Sequence, residues 1–233
     1  MNLLRALSSK LFLTAFIFAY FSTSSFAEQP TFYISAGIGT SKFPLHFNDT
    51  NYSGSGSSYI ANYSSEDTGR CYDVMLGARF HRYYGVELER LKLGQMKYSE
   101  VSSWQSPTYS TDAVLNFRSS YSGFTIGHVG FFPLGPHFLL TGKIGAYALN
   151  LETNNAINQI ARDSGGSITS QSSSDTKGLT LKTGGFYGFG LSVLIHESVD
   201  LRVRWERFNS LLSKSSQAGR DVDRMTFDVI YKL

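Results

Sequence analysis

The chain has 233 residues, 42% of them hydrophobic and 15% aromatic, with 21 Lys and Arg against 18 Asp and Glu. Basic residues interleaved with acidic ones in near balance exclude a nucleic-acid partner. Cys71 is the only cysteine, which excludes an internal disulfide; it reads as a small residue at a strand start.

In chain order, residues 1–27 differ in kind from the rest. Arg5 and Lys10 precede the apolar run Leu11–Phe21, and Ser25-Phe26-Ala27 offers small residues at a cleavage site. This is the pattern of a secretory signal peptide, with a run short of the ~20 residues a spanning helix needs. The expected mature domain is 28–233, whose charge without Arg5 and Lys10 falls to about +1.

Eight segments then alternate apolar and polar residues with period two, the signature of strands with two unlike faces. Phe32, Ile34, Ala36 and Ile38 alternate with Tyr33, Ser35, Gly37 and Gly39 in the first. The second sets Tyr72, Val74, Leu76, Ala78 and Phe80 against Asp73, Met75, Gly77, Arg79 and His81. The third sets Tyr84, Val86 and Leu88 against Gly85, Glu87 and Glu89, then blurs at Arg90–Leu93. The fourth, about Asn116–Phe132, is the least regular and suggests a bulge. The fifth runs from Phe138 to Ala148 with Thr141 and Lys143 on its polar face, and the sixth from Phe186 to Ile195. The seventh sets Leu201, Val203 and Trp205 against Arg202, Arg204 and Glu206; the eighth sets Met225, Phe227, Val229 and Tyr231 against Arg224, Thr226, Asp228 and Lys232.

The connections alternate too. Those near His81–Tyr83, Pro133–Pro136 and His196–Ser198 are short, whereas 44–70, 99–115, 153–178 and 209–221 are long, rich in Ser, Asn, Gly and Tyr, and read as solvated, mobile loops. An even number of strands with short turns on one side and long loops on the other predicts an all-β, eight-stranded antiparallel up-and-down transmembrane β-barrel. A sheet in lipid must close on itself because unpaired backbone groups there cost several kcal/mol each. A soluble sandwich would show the same alternation; the leader and the loop asymmetry favour the membrane barrel.

The polar face carries Asp73, Arg79, Glu87, Glu89, Lys143, Arg202, Arg204, Glu206 and Asp228 at mid-strand. Near-balanced charges inside a narrow barrel predict an interior salt-bridge network rather than an open pore. Aromatics at strand ends predict two interfacial belts: Phe32, Phe80, Tyr83, Tyr84, Phe131, Phe138 and Tyr231 at the short-turn rim, and Phe43, Tyr98, Phe117 and Phe208 at the long-loop rim.

The segments Gly77–Phe80, Tyr84–Glu89 and Leu201–Phe208, with the alternating terminal stretch Phe227–Leu233, resemble the OmpA/OmpX/Opa-like superfamily of small outer-membrane barrels. The resemblance implies export to a Gram-negative outer membrane, contact with outer-membrane lipids and lipopolysaccharide, and insertion by the barrel-assembly machinery, which reads the terminal strand. Members usually end in Phe where this chain has Leu233, and its length leaves no room for the peptidoglycan-binding domain of longer members.

No motif carries evident chemistry, and no catalytic, cofactor or metal residues are expected. His196-Glu197-Ser198 is similar to the His-x-Ser of lipid A deacylase barrels, but Val199 replaces that family's Asn and the triplet lies at a short turn. His81 and His137 read as interfacial, His128 as a lumen residue, and His46 as a loop residue beside Asp49. The Gly184–Gly190 stretch lies within a strand with no helix following, which fits close packing rather than phosphate binding. Function is therefore placed in the loops, as a structural or surface-interaction role, adhesin-like, toward a host or environmental ligand. A narrow gated channel is the alternative, and a lipid-modifying outer-membrane enzyme is third.

Overall fold

A computed structural model describes residues 30–44, 50–54, 57–212 and 221–233; the expected signal peptide and His46 lie outside them. Ten strands follow in order: β1 (Thr31–Lys42), β2 (Thr50–Gly54), β3 (Ser57–Glu66), β4 (Thr68–His81), β5 (Tyr84–Gln105), β6 (Tyr109–Pro133), β7 (Phe138–Asp163), β8 (Ile168–His196), β9 (Val199–Phe208) and β10 (Val222–Lys232). Eight close a ring, since β1 pairs with both β4 and β10 while β5 pairs with β6, every pairing antiparallel. The hairpin β2–β3 attaches to the far part of β5, beside the ring. The all-β, eight-stranded up-and-down barrel read from period-two alternation is the observed architecture.

The alternation turns the usual protein inside out. Ile38, Val74, Leu76, Ile126, Ile144 and Phe189 stand exposed on the outer wall, while Asp73, Glu87, Glu89, Arg202 and Arg204 are buried within. In water such an exposed apolar band would be a liability. In lipid it is the requirement.

Two expectations about the strands need correction. Within the described residues, the segments 50–54, 57–66, 99–115 and 153–178 are not irregular loops but mostly paired strand. The β5–β6 ladder continues to Gln105–Ser110, and β7–β8 continues to the Arg162–Ile168 pairing. Ser, Thr, Asn and Tyr bury little, but in a hairpin their backbone groups are paired by the neighbouring strand, so no apolar face is required for a ladder to form. The bulge lies in β5, not in the fourth predicted segment: Lys92 pairs with Ser122 and Gln95 with Ser120, so two β5 residues oppose Tyr121. Gly94 sits there at φ 86°. The blurred alternation at Arg90–Leu93 is the approach to this bulge.

A Cβ at Gly94 would lie 2.5 Å from the Arg70 carbonyl oxygen. Left-handed backbone costs a non-glycine residue about 1–2 kcal/mol before any clash. Gly94→Ala should therefore lower the urea midpoint of unfolding from lipid vesicles, whereas Gly142→Ala, where a Cβ meets nothing within 4 Å, should leave it unchanged.

Candidate functional site: a layered, charged lumen

Taken around the barrel, the inward residues change character from the short-turn end to the long-hairpin end. Tyr33, Met75, Val129, Phe131 and Ile230 form an apolar floor. A layer of charged residues follows. Above it a second apolar cluster, including Phe43, Leu93, Tyr121, Leu149, Phe186 and Phe208, fills the lumen. On β5 the order is Glu87, Glu89, Leu91, Leu93; on β10 it is Ile230, Asp228, Thr226, Arg224, Val222. An eight-stranded barrel is just narrow enough for side chains to fill it.

The charged layer is one connected cluster. Arg204 Nη1 donates to Glu89 Oε2 at 3.0 Å and to Glu206 Oε1 at 3.1 Å, Nη2 donates to Asp73 Oδ2 at 3.0 Å, and Nε lies 3.2 Å from Asp228 Oδ2. Arg202 bonds Glu87 at 2.9 Å and Asp228 at 3.1 Å. Lys143 Nζ lies 3.0 Å from both Glu87 and Glu89 and 3.5 Å from Glu206. The Tyr33 hydroxyl rises from the floor to donate to Glu87 at 2.8 Å. Each guanidinium fork thus spreads its donors in fixed planar geometry over several carboxylates, while Lys143 does so from a single nitrogen.

Sequence reasoning missed one member and misplaced another. Arg224, buried on β10, donates to Glu89 and Glu206 and lies 3.4 Å from Asp73. Its inward parity was legible, but nothing in the alternation told which inward residues share an axial level. Arg79 stands apart from the layer. It lies on the last turns of β4, where it donates to the carbonyls of His81 and Arg82 and lies 4.7 Å over the Phe131 ring. Its strand ends there, so the side chain caps the short turn instead of reaching the middle of the lumen. The layer therefore holds Asp73, Glu87, Glu89, Glu206 and Asp228 against Lys143, Arg202, Arg204 and Arg224, one carboxylate more than the cations.

Gly37 keeps two of those carboxylates in place. It pairs with Asp228 on one side and Asp73 on the other. A Cβ there would fall 2.2 Å from Asp228 Oδ1 and 2.9 Å from Asp73 Oδ2. The glycine is thus the gap through which the β4 and β10 acids reach the same arginines.

Other expected features fall elsewhere. Phe43, Phe208 and Phe131 are not belt residues; they point inward and pack the two apolar layers, with Phe117 against the upper one. The ring at the long-hairpin edge of the outer wall is instead made by Tyr72, Phe124, Tyr187 and Trp205, with Arg90 5.7 Å over Phe124 and Lys92 5.9 Å from the Tyr72 ring centre. His128 does not face the lumen but the outer wall, where its ring contacts the Tyr84 hydroxyl. His196 Nδ1 accepts the Ser198 backbone N–H at 3.4 Å within the short β8–β9 turn. Cys71 is buried inside β4, with Sγ 4.0 Å from the Met225 carbonyl.

Removing one partner from a buried ionic cluster strands the others, typically at about 3–5 kcal/mol. Arg204→Ala and Arg224→Ala should each lower the urea midpoint in vesicles far more than Arg79→Ala or the exposed Arg118→Ala. Equal midpoints for Arg224→Ala and Arg79→Ala would contradict the layer as drawn.

The family model of the OmpA-like transmembrane domain matches residues 27–233. No curated protein matches the sequence. Among solved structures, Ail, the attachment invasion locus protein of Yersinia pestis, in complex with the heparin analogue sucrose octasulfate, is 15% identical, with 88% of this chain and 100% of that one covered at a TM-score of 0.48. Neisserial surface protein A is also 15% identical, covering 88% and 100% at 0.36. The N-terminal barrel of Pseudomonas aeruginosa OprF is 11% identical, covering 88% and 100% at 0.40. With nearly the whole chain matched by the family model, this protein belongs to the OmpA-like transmembrane domain family of outer-membrane β-barrels.

Proposed function

We propose that this outer-membrane barrel is a surface-interaction protein, adhesin-like in role, whose sealed wall is a scaffold for a sheet raised into the medium. The observation that carries this reading is the length of the hairpins past the membrane. From Lys92–Ser122 to Gln105–Ser110, β5 and β6 stay paired, about 40 Å along the strand at ~3.4 Å per residue. Strands β3, β7 and β8 flank them. A short eight-stranded barrel needs no such extension to be stable in lipid. A rigid sheet, by contrast, presents side chains in fixed register at lower ordering cost than a mobile loop would.

Cations on the outer wall support a second part of the proposal, contact with lipopolysaccharide. Lys42 and Arg70 project outward past the last apolar residues Ile38 and Tyr72 of β1 and β4, and on β5 Lys92 and Arg90 project outward beside Tyr72 and Val74 at the upper edge of the apolar band. That is the level of lipid headgroups, where phosphate is matched by Lys and Arg. The signal-peptide reading of residues 1–27, with export as 28–233, is part of the same proposal.

The layered lumen speaks against conduction, since ions would have to cross two apolar layers and a densely cross-linked charge cluster. Planar-bilayer recordings should stay silent. Replacing residues 98–117 and 155–176 by two-residue turns should abolish attachment of whole cells to their target surface and leave a folded, heat-modifiable barrel. Attachment that survives the exchange would overturn the surface-interaction reading. Arg70→Gln with Arg90→Gln and Lys92→Gln should reduce the lipopolysaccharide that copurifies with the barrel.

A further inference from the structure

The two faces of the raised sheet differ in chemistry. Past the bulge at Gly94, Met96 is buried in the upper apolar layer, so Tyr98, Glu100, Ser102 and Trp104 share its side and continue the lumen wall outward. Register places Ser65 and Phe117 beside Tyr98, Tyr63 and Leu115 beside Glu100, and Tyr59 and Thr111 beside Trp104. Between the Tyr98 and Trp104 rows, Glu100 is the single ionic side chain on this inner face among the described residues of β3 and β5–β8. The outer face at the same height carries Glu66, Lys97, Arg118, Asp175 and Lys177, with Lys97 and Glu66 paired at 2.9 Å.

Glu100 is held in place. Tyr98 Oη donates to its Oε2 at 2.8 Å and Tyr59 Oη to its Oε1 at 3.3 Å. A carboxylate offers about four lone-pair sites, so two donors leave it able to accept more. The Tyr63 and Tyr98 rings stand nearly parallel at 6.0 Å, and Trp104 and Tyr109 form a second aromatic pair at 4.4 Å. The six residue steps from Tyr98 to Trp104 span roughly 20 Å of extended strand. Partial burial and the neighbouring Glu100 hold the Tyr98 phenol above its ordinary range.

We propose that this inner face is a saccharide site, in which the Tyr63–Tyr98 and Trp104–Tyr109 pairs stack on pyranose rings and Glu100 accepts hydroxyls from the same sugar chain. The C–H face of a pyranose carries slight positive charge and meets the negative face of an aromatic ring. A hydroxyl donating to an ionised, pre-positioned carboxylate makes a charge-assisted bond. Ser102, Thr111 and Gln159 supply further neutral partners on the same face. The one charge being negative, sulfated or uronic-acid chains are disfavoured here, which selects an uncharged oligosaccharide. Each site is weak, and many copies on one cell supply avidity.

This proposal rests on the surface-interaction reading and names its ligand class. The full-length protein in phospholipid nanodiscs should be applied to an array of uncharged, sulfated and trimethylammonium-bearing oligosaccharides. Binding to uncharged chains is expected, weakened about tenfold or more by Tyr98→Ala and by Glu100→Gln, and unchanged by Lys97→Gln or Arg118→Gln on the outer face. Heat-modifiable mobility of each variant reports that the barrel is folded. Binding confined to sulfated or to cationic chains, binding indifferent to Glu100→Gln, or no binding would each overturn the saccharide site. Cells that attach through the sheet while the array stays blank would refute the ligand class and leave the surface-interaction reading standing; cells that attach without the sheet would refute that reading itself.

Discussion

Nine ionised side chains share the middle of a lumen that is apolar above and below them, and most other features of the molecule answer to that arrangement. Charges taken out of water are tolerated only where each finds partners of the opposite sign at hydrogen-bond distance. Three arginines and one lysine are therefore distributed so that Glu89 and Glu206 each meet three cations and no guanidinium is spent on a single acid. The geometry requires a bare position at Gly37, a tyrosine reaching up from below, and aromatic rings above, where Lys143 and Arg224 lie within 5.3 Å and 5.5 Å of the centres of Phe186 and Phe208. A cluster so cross-linked ties together strands far apart in sequence, among them β4, β5, β7, β9 and β10.

What could be read in the sequence was whatever depends on parity. Period two decides whether a side chain faces lipid or lumen, so the eight barrel strands and most of the inward charges of β4, β5, β7, β9 and β10 were legible from residues alone, while the β2–β3 hairpin was not. Axial height is a different quantity. Nothing in the alternation says that Arg79 lies at a turn and Arg224 at mid-layer, since height depends on strand tilt and on the stagger between neighbours. The same gap hid the role of Phe43, Phe131 and Phe208, which stand near strand ends yet point inward.

Composition misled in one place for a related reason. Stretches such as Ser170–Asp175 hold almost nothing that would drive burial, so they read as solvated, mobile loops. Their order comes instead from the partner strand: Ser170 is opposite Ala161 and Ser174 opposite Ile157, in a ladder begun in the membrane and carried outward without a break. A paired strand started by lipid-facing residues can continue well beyond the region where hydrophobicity selects it.

The bulge at Gly94 acquires a different meaning in this light. Before it, odd-numbered β5 residues such as Leu91 and Leu93 face inward; after it, the even-numbered Met96 does. Strand β6 passes the same point without a shift, so the bulge alone sets the phase of outer β5 against its neighbours. Were the same residues paired without the bulge, Lys97 and Ser99 would look into the concavity beside Phe117, and Tyr98 and Glu100 would turn to the outside. One residue in the wall thus acts as a phase setting that decides which of two chemistries the cell surface displays. A lineage could exchange the two by a change that flattens the bulge without shortening the strand, leaving the membrane-embedded part of the barrel unaltered.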